Sequence, residues 1–475
     1  MSHNVFGMIS VVQVVAILAT SDYDKSLSTN PPQILAKIIA SVMRMKWVSR
    51  LSTKVSLEAA LQELADQVLA VMSADCLDLG FLFVSNAFAS DYPRLLPLLH
   101  DKLPIKQLVG CSGGGIIGGG QELGETPAIA LMVGHIPDGQ FKVFHVQEGE
   151  LPDLDAGPQP WQDMTGVAAD LEPSFVLLGD PFSFRVNDLL QGMDFAYGRS
   201  IKVGGLASSG GLGSNAMFAV YEPGKYRLHR NGLLGLALWG DVMIDTVVAQ
   251  GCRPIGPTLQ VSECDRNLIL GLDGKRPLSL LQDIVNELSE SDRELAQSSL
   301  FVGMVMNEFK ANPTQGDFLI RNIIGVDPRS GAIAIGDRLR PGQRLQLHLR
   351  DAAASATDLA AVLERYDQHL NQNPTDHQPE AALLFSCLGR GERLYNQPDF
   401  DSQMFIDKIG DLPISGFFCS GEIGPVGGTT FLHGYTSVFG IVRQRSNVVA
   451  NYGTMPLENY KQPNFQSDLG DEDHD

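Results

Sequence analysis

A chain of 475 residues with 44% hydrophobic content can bury sizeable cores, and its length suits two or three domains. The 35 Lys and Arg against 55 Asp and Glu leave a formal charge of −20. That balance disfavours nucleic acid and anionic membrane as partners, since both need a basic face.

The six cysteines, at positions 76, 111, 252, 264, 387 and 419, form no C-x-x-C pair, and no His cluster has zinc spacing. No metal and no cofactor is expected. Scattered thiols indicate a reducing, cytoplasmic setting without a disulfide framework.

Residues 1–44 read as a leader. The apolar run Val5 to Thr20 is too short to span a membrane and lacks a basic flank or cleavage site. Met43 and Met45 are alternative starts, and a poorly ordered extension is the expectation. Ser56 to Met72 follows as an amphipathic helix, with Leu57, Leu61, Leu64, Val68 and Val71 at helical spacing and Ser56 as its N-cap.

A layout then recurs three times. Short apolar runs at Phe81–Ser85, Phe175–Gly179 and Ala381–Ser386 read as buried strands. Helical segments follow at Arg94–Leu103, Val186–Tyr197 and Ser402–Ile409, then second strands at Gln107–Cys111, Ile201–Ala207 and Ile414–Cys419. Each second strand breaks into a glycine loop. The loops are Ser112, Gly113, Gly114, Gly115; Ser208, Ser209, Gly210, Gly211; and Ser420, Gly421, Glu422 through Gly428. Later strands are expected at Ala128–Ile136, Leu233–Val242 and Tyr435–Val442. The expected fold is α/β, with repeated strand–helix–strand units forming mixed sheets. Loops at the C-terminal ends of buried strands are where such proteins bind ligands.

The first loop contains two tempting motifs. Gly110, Ser112 and Gly114 satisfy G-x-S-x-G, and Gly113, Gly115 and Gly118 satisfy G-x-G-x-x-G. Both require a helix directly afterwards, which Gly118 to Gly120, Gly124 and Pro127 forbid, so a turn is expected.

Glu148 to Gly166, acidic and proline-bearing, reads as a surface loop. Arg253 sits in the stiff run Gly251 to Pro257, where a held guanidinium could grip a carboxylate or phosphate, or pair a structural acid. Helices are expected at Pro277–Leu288, Ser291–Ser298 and Ala353–Leu370. Strands are expected at Leu300–Met306, Phe318–Ile323 and Arg344–Leu349, with turn signals around Ala332 to Ile335 and a linker at Asn371–Pro379. Arg321 and Asn322 interrupt an apolar run beyond Asp317 and must find partners in protein or ligand. Cys387 lies beside Arg390 and Arg393, where positive charge could activate the thiol; the alternative is a small buried side chain. The chain ends in an acidic tail, 447–475.

FSCLGRGERLYNQPDFDSQMF and LPISGFFCSGEIGPVGGTTFLHGYTS closely resemble the C-terminal part of FIST proteins, named for F-box and intracellular signal transduction. LVGCSGGGII, VGGLASS, QGCRPIGP and GDFLIRNIIGVDP resemble other segments of that family. The resemblance covers roughly 77–442 and implies an N-terminal half at 45–275 associated with a C-terminal half at 276–446. It further implies a sensory module for small molecules, with amino acids as candidates, acting through a separate signalling or output protein.

The residues that could build such a site are Ser112, Gly113, Gly114, Ser209, Arg253, Arg321, Asn322, Cys387, Arg390, Ser420, Gly421 and Glu422. An arginine would take the ligand's carboxylate and Glu422 its ammonium. One alternative is an interaction adaptor in which the loops are structural. Another is an enzyme using Cys387, Cys419 or Ser112, with His433 as base.

Overall fold

The computed structural model describes residues 45–209, 215–372 and 378–445. The expected leader, the acidic tail, most of the Asn371–Pro379 linker, and Gly210 and Gly211 lie outside the described residues.

The first repeat runs β1 (Lys46–Ser52), α1 (Leu57–Leu69), β2 (Leu79–Ser85), α2 (Tyr92–Lys102), β3 (Gln107–Gly113), a hairpin of β4 (Ile116–Gly118) and β5 (Gln121–Leu123), and β6 (Ile129–His135). The second repeats it as β7 (Gly139–Val146), α3 (Pro158–Thr165), β8 (Ser174–Gly179), α4 (Val186–Ala196), β9 (Lys202–Leu206), β10 (Met217–Glu222), β11 (Lys225–His229) and β12 (Leu233–Gly240).

The third repeat opens with β13 (Met243–Gln250) and is interrupted by a closed barrel. The barrel holds β14 (Cys252–Asp265), β15 (Leu268–Leu272), α5 (Pro277–Glu287), α6 (Glu290–Ser299), β16 (Leu300–Val305), β17 (Phe318–Val326), β18 (Ile333–Ile335) and β19 (Arg344–Arg350). The repeat resumes with α7 (Ala352–Gln372), β20 (Pro379–Cys387), the short α8 (Glu392–Tyr395), α9 (Phe400–Ile409), β21 (Ile414–Cys419), β22 (Glu422–Val426), β23 (Thr429–His433) and β24 (Thr436–Arg443).

The three sheets share one plan. Their orders are β1-β6-β2-β3-β10-β11, β7-β12-β8-β9-β22-β23 and β13-β24-β20-β21-β4-β5. In each, a central parallel pair carries antiparallel neighbours on both sides. Each repeat's hairpin leaves its own sheet. The first repeat's β4–β5 completes the third sheet, the second's β10–β11 completes the first, and the third's β22–β23 completes the second. The exchange closes a ring.

The alternation of each strand divides its side chains between two cores. The inner faces of all three sheets meet in one core, from Phe81, Phe83 and Met217 through Val176 and Leu236 to Phe385, Phe417 and Val438. The outer faces are covered by α1 and α2, by α3 and α4, and by α7 and α9. The barrel has its own core around Val261, Ile269, Leu345 and Leu347. Ser56 caps α1 as expected, its hydroxyl accepting from the Ala59 N–H at 3.4 Å.

Glycine sets the spacing of the parallel pairs. Gly110 lies in register with Leu82, Gly204 with Leu177, and Gly416 with Leu384. A Cβ on these glycines would sit 1.9, 1.8 and 1.8 Å from the facing carbonyl oxygen. The equivalence of the three positions supports the repeat more strongly than any side-chain identity does.

Three expectations need correction. Glu148–Gly166 is not all loop: Pro158 starts α3, Gly166 ends it at φ 70°, and Trp161 is fully buried beneath it. The turn at Ala332–Ile335 contains β18, which closes the barrel. The third glycine loop is only Ser420 and Gly421; beyond it lies the β22–β23 hairpin, turning at Gly427 and Gly428 with φ 58° and 85°. β1 was not anticipated. After the first loop comes a hairpin and no helix, as Gly118 to Gly120 required.

Gly416→Ala is expected to cost about 3 kcal/mol of unfolding free energy, because the new methyl must push a backbone carbonyl. Gly110→Ala and Gly204→Ala are expected to cost a similar amount. Gly124→Ala, with nothing within 4 Å, should cost less than about 0.5 kcal/mol. Urea titration of the four variants checks this; a negligible cost at Gly416 would contradict the close approach.

Candidate functional site

The described parts of the three loops, Ser112–Gly115, Ser208–Ser209 and Ser420–Gly421, converge and are bonded together. The Ser208 N–H donates to Ser112 O at 3.1 Å, and Ser208 Oγ–H donates to Phe418 O at 2.5 Å. Gly114 N–H donates to Ser208 Oγ at 2.8 Å, and Phe418 N–H donates to Gly115 O at 3.0 Å. Leu206 exchanges bonds with Gly421 O at 2.8 Å and with the Ser420 N–H at 3.0 Å. Ser112 is fully buried and its Oγ accepts from the Ala216 N–H at 3.1 Å. Gly113 is packed against Phe417, and the Ser209 carbonyl accepts from Asn86. The hinge amides named here are spent on cohesion between repeats.

All three expected arginines, Arg253, Arg321 and Arg390, have acidic partners. Arg253 joins Asp351 at 2.9 Å and also Asp292. Arg321 joins Asp337 at 2.7 Å and donates to Leu432 O at 3.1 Å, tying the barrel to the β22–β23 hairpin. Asn322, next to it, accepts from the Tyr435 hydroxyl.

The third parallel pair ends differently from the other two. By register, Cys387 at the end of β20 matches Ser85 at the end of β2, and Asp180 follows the end of β8. Ser85 Oγ accepts from the Ala128 N–H, and Asp180 holds Asn215 at 2.9 Å and Ser183 at 2.6 Å. Cys387 instead faces cations. Arg390, 1% exposed, grips Asp401 side-on, with Nε to Oδ2 at 2.9 Å and Nη2 to Oδ1 at 3.0 Å. Ser386 and Ser437 hydroxyls also donate to Asp401. Burial disfavours the Arg390 cation, but Asp401 outweighs it and raises the pKa; burial likewise disfavours the Asp401 anion, and Arg390 holds its pKa below the usual carboxylate range. The Nη1 of Arg390 stays buried without a partner.

Arg350, at the end of β19, comes to the same place from the barrel. Its guanidinium lies 5.2 Å from the Tyr435 ring centroid, and a Cβ on Gly389 would sit 2.3 Å from its Nη1. Its Nε and Nη2 are buried and unpartnered. Tyr435 holds φ 65°, an uncommon backbone for an aromatic residue, and its ring packs 4.3 Å from Phe301 by centroid. Sequence reasoning missed Arg350 and Tyr435. Arg350 closes an alternating strand and is 37 residues before Cys387, with nothing local to mark their meeting.

The thiols are not activated. Burial pushes Cys387 up to about 11, with Glu422 adding to the shift and Arg350 opposing it. Burial holds Cys419 well above its ordinary range. Cys419 Sγ lies 3.3 Å from Ser386 O, while His433 Nε2–H donates to Gly424 O at 3.0 Å, so these two side chains have separate partners. Glu422 is fully buried, and its Oε2 accepts from Thr436 N–H at 3.1 Å and Thr436 Oγ1–H at 2.6 Å.

Two surface hollows lie elsewhere, one of about 390 Å3 beside Glu172 and Arg199 and one of about 620 Å3 beside Glu308 and Arg344. In each the arginine is already paired to the glutamate. No cluster of metal-ligating side chains occurs among the described residues. No helix among them is long and apolar enough to cross a membrane.

The FIST N domain model matches residues 78–275, and the FIST C domain model matches 277–425. The chain belongs to the FIST family. FIST domains are generally sensory. An uncharacterised protein of Mycobacterium tuberculosis is 35% identical over 366 residues, covering 76% of this chain and 89% of its own. An uncharacterised protein of Mycobacterium bovis is 32% identical over 377 residues, covering 79% and 93%. An F-box/LRR-repeat protein of Arabidopsis thaliana is 32% identical over 128 residues, 23% of each chain. A cyanuric acid hydrolase structure from A. caulinodans aligns over 85% of this chain and 100% of its own, with TM-score 0.32 and 8% identity, a likeness too slight to carry an argument. The boundary between the two FIST models falls between β15 and α5, inside the barrel.

Two buried carboxyls, Glu122 beside Asp401 and Glu422 beside Thr436, are raised toward neutrality. Burial pushes Glu122 up to about 8, with the Asp401 charge adding, and burial pushes Glu422 up to about 7 against the hydrogen bonds from Thr436. Their folded values lie above the ordinary 4.5, so the stability they contribute is complete below that pH and is lost as pH rises through 7 and 8. His229, His348 and His433 act in the opposite sense. Burial lowers them from 6.5 to about 4, so their contribution is complete above 6.5 and is lost as pH falls toward 4. Above pH 6.5 only the two carboxyls among these groups still change. The unfolding free energy is therefore expected to fall between about pH 6.5 and 8, and Glu122→Gln to flatten that fall. Urea titrations across the window check it; an unchanged slope in the variant would contradict a protonated Glu122.

Proposed function

We propose that this protein is a small-ligand sensory protein whose ligand, an amino acid or related small acid, docks where the barrel meets the end of β20. One observation carries the reading. Among the described residues, the third of the three equivalent strand ends alone brings buried guanidinium N–H groups without partners, on Arg350 and Arg390. A buried polar group left unpaired costs about 1–3 kcal/mol, more when charged, and a ligand acid offsets that cost. The site suits binding rather than catalysis, since burial keeps the nearby thiols protonated. The signal would pass to a separate protein.

A second reading, an adaptor that docks a protein partner, draws on the outer face of the barrel. There Leu268, Ile324 and Val326 are 37%, 64% and 40% exposed on β15 and β17.

A thermal-unfolding screen across amino acids, organic acids and neutral metabolites separates the two. A ligand at 100 times its Kd is expected to add about 2.7 kcal/mol of stability. Stabilisation by acids supports the sensor. No stabilisation by any of them contradicts it and favours the adaptor.

A further inference from the structure

The barrel joins the third repeat through two chain crossings that lie side by side. The chain enters at Gly251–Cys252 and leaves at Arg350–Asp351, and Cys252 pairs with Arg350 in register. Asp351 N–H donates to Gly251 O at 3.4 Å, and Ser355 Oγ–H donates to the same oxygen at 2.8 Å. This stem is the barrel's covalent attachment. Away from it, the barrel is latched to the third repeat by Arg321 to Leu432 O, Tyr435 to Asn322, and Gln250 Nε2–H to Phe318 O at 2.8 Å. The unpartnered edge of Arg350 therefore sits at this stem.

The chemistry of that edge is specific. Nε and Nη2 form the two-pronged side of a guanidinium, the same side with which Arg390 grips Asp401. It matches the two oxygens of one carboxylate in parallel hydrogen bonds. The guanidinium carbon lies 5.2 Å from the Tyr435 ring centroid, and the lack of a side chain at Gly389 leaves the group its room. Arg390 Nη1 supplies a further donor from the repeat side. Both arginines lie near enough to Cys252 for their charges to oppose the rise that burial imposes on its thiol.

We propose that a carboxylate of the ligand binds the Nε–Nη2 edge of Arg350 side-on, takes a further hydrogen bond from Arg390 Nη1, and so clamps the barrel to the third repeat at its stem. The inference rests on the sensory reading above and adds both a ligand class, organic acids with a free carboxylate, and a moving part. Binding at the stem selects one orientation of the barrel, whose outer face is then what a downstream protein reads.

The test uses the full chain with glutamate, succinate, pyruvate, inorganic phosphate and the neutral amide succinamide as probes. Calorimetric titration gives affinity, and amide hydrogen exchange follows residues 250–253 and 349–352. The carboxylates are expected to bind and to slow exchange at the stem, with succinamide inert. Arg350→Gln is expected to weaken binding about tenfold or more, since it removes a charge-assisted pair. Gly389→Ala keeps the charge but displaces the guanidinium, and should weaken binding in the same direction. It guards against misreading a folding defect in the first variant.

Carboxylate binding that is undiminished in both variants overturns the clamp and leaves the sensory reading standing. Binding without any change in stem exchange overturns the moving part. Binding of phosphate in place of carboxylates overturns the ligand class. Failure of every acid to bind the wild-type chain overturns the clamp and the sensory reading together.

Discussion

The structure depends on the exchange of hairpins between repeats. No sheet is complete without strands from another repeat: β4 seals β21, β10 seals β3, and β22 seals β9. The strand ends from which the hairpins leave are bonded together at the centre, Ser208 to Ser112, Gly114 and Phe418, and Leu206 to Ser420 and Gly421. Backbone N–H and C=O groups must be paired when buried, and here the next repeat supplies the partners. The glycines that resemble a ligand cradle in the sequence are needed because three chains cross in little space.

On this nearly repetitive frame, function comes from what breaks the repetition. The barrel is inserted in the third repeat alone, between β13 and α7. It delivers Arg350 to the one strand end that also holds Arg390. At the equivalent ends of the first two repeats Ser85 is bonded to Ala128 and Asp180 to Asn215 and Ser183, and, among the described residues, the buried atom left unpartnered there is a neutral amide oxygen, Asn215 Oδ1. The buried Arg390–Asp401 pair belongs to the scaffold, because both charges are matched and further hydrogen-bonded. The unpartnered edge of Arg350 has no such scaffold role.

The framework was legible where strands are buried on both faces. Ile414–Cys419, apolar apart from Ser415, matches β21 to the residue, and the runs before the other two loops are nearly as close. Hairpins were not legible, since Gly424, Pro425, Gly427 and Gly428 look like a loop from composition although residues 422–426 pair with β9 and β23. α3 was hidden by its prolines and acids, and only Trp161 hinted at burial. Arg390 and Cys387 could be singled out because polar groups there follow a buried strand. Arg350 could not, because its place beside them is set by barrel closure, a long-range pairing of β14 with β19 that no local pattern encodes.

The central claim, that the repeats interlock into one body, is tested most directly by producing residues 45–275 alone and measuring amide exchange. That segment carries the first two repeats but lacks β21, β22 and four strands of the barrel. The first sheet keeps its six strands, but the second sheet lacks its β22–β23 edge and the shared core lacks Phe385, Phe417 and Val438, so the account predicts fast exchange in β8 and β9 and weakened protection in β2 and β3. A folded fragment with slow exchange in β2, β3, β8 and β9 would contradict it.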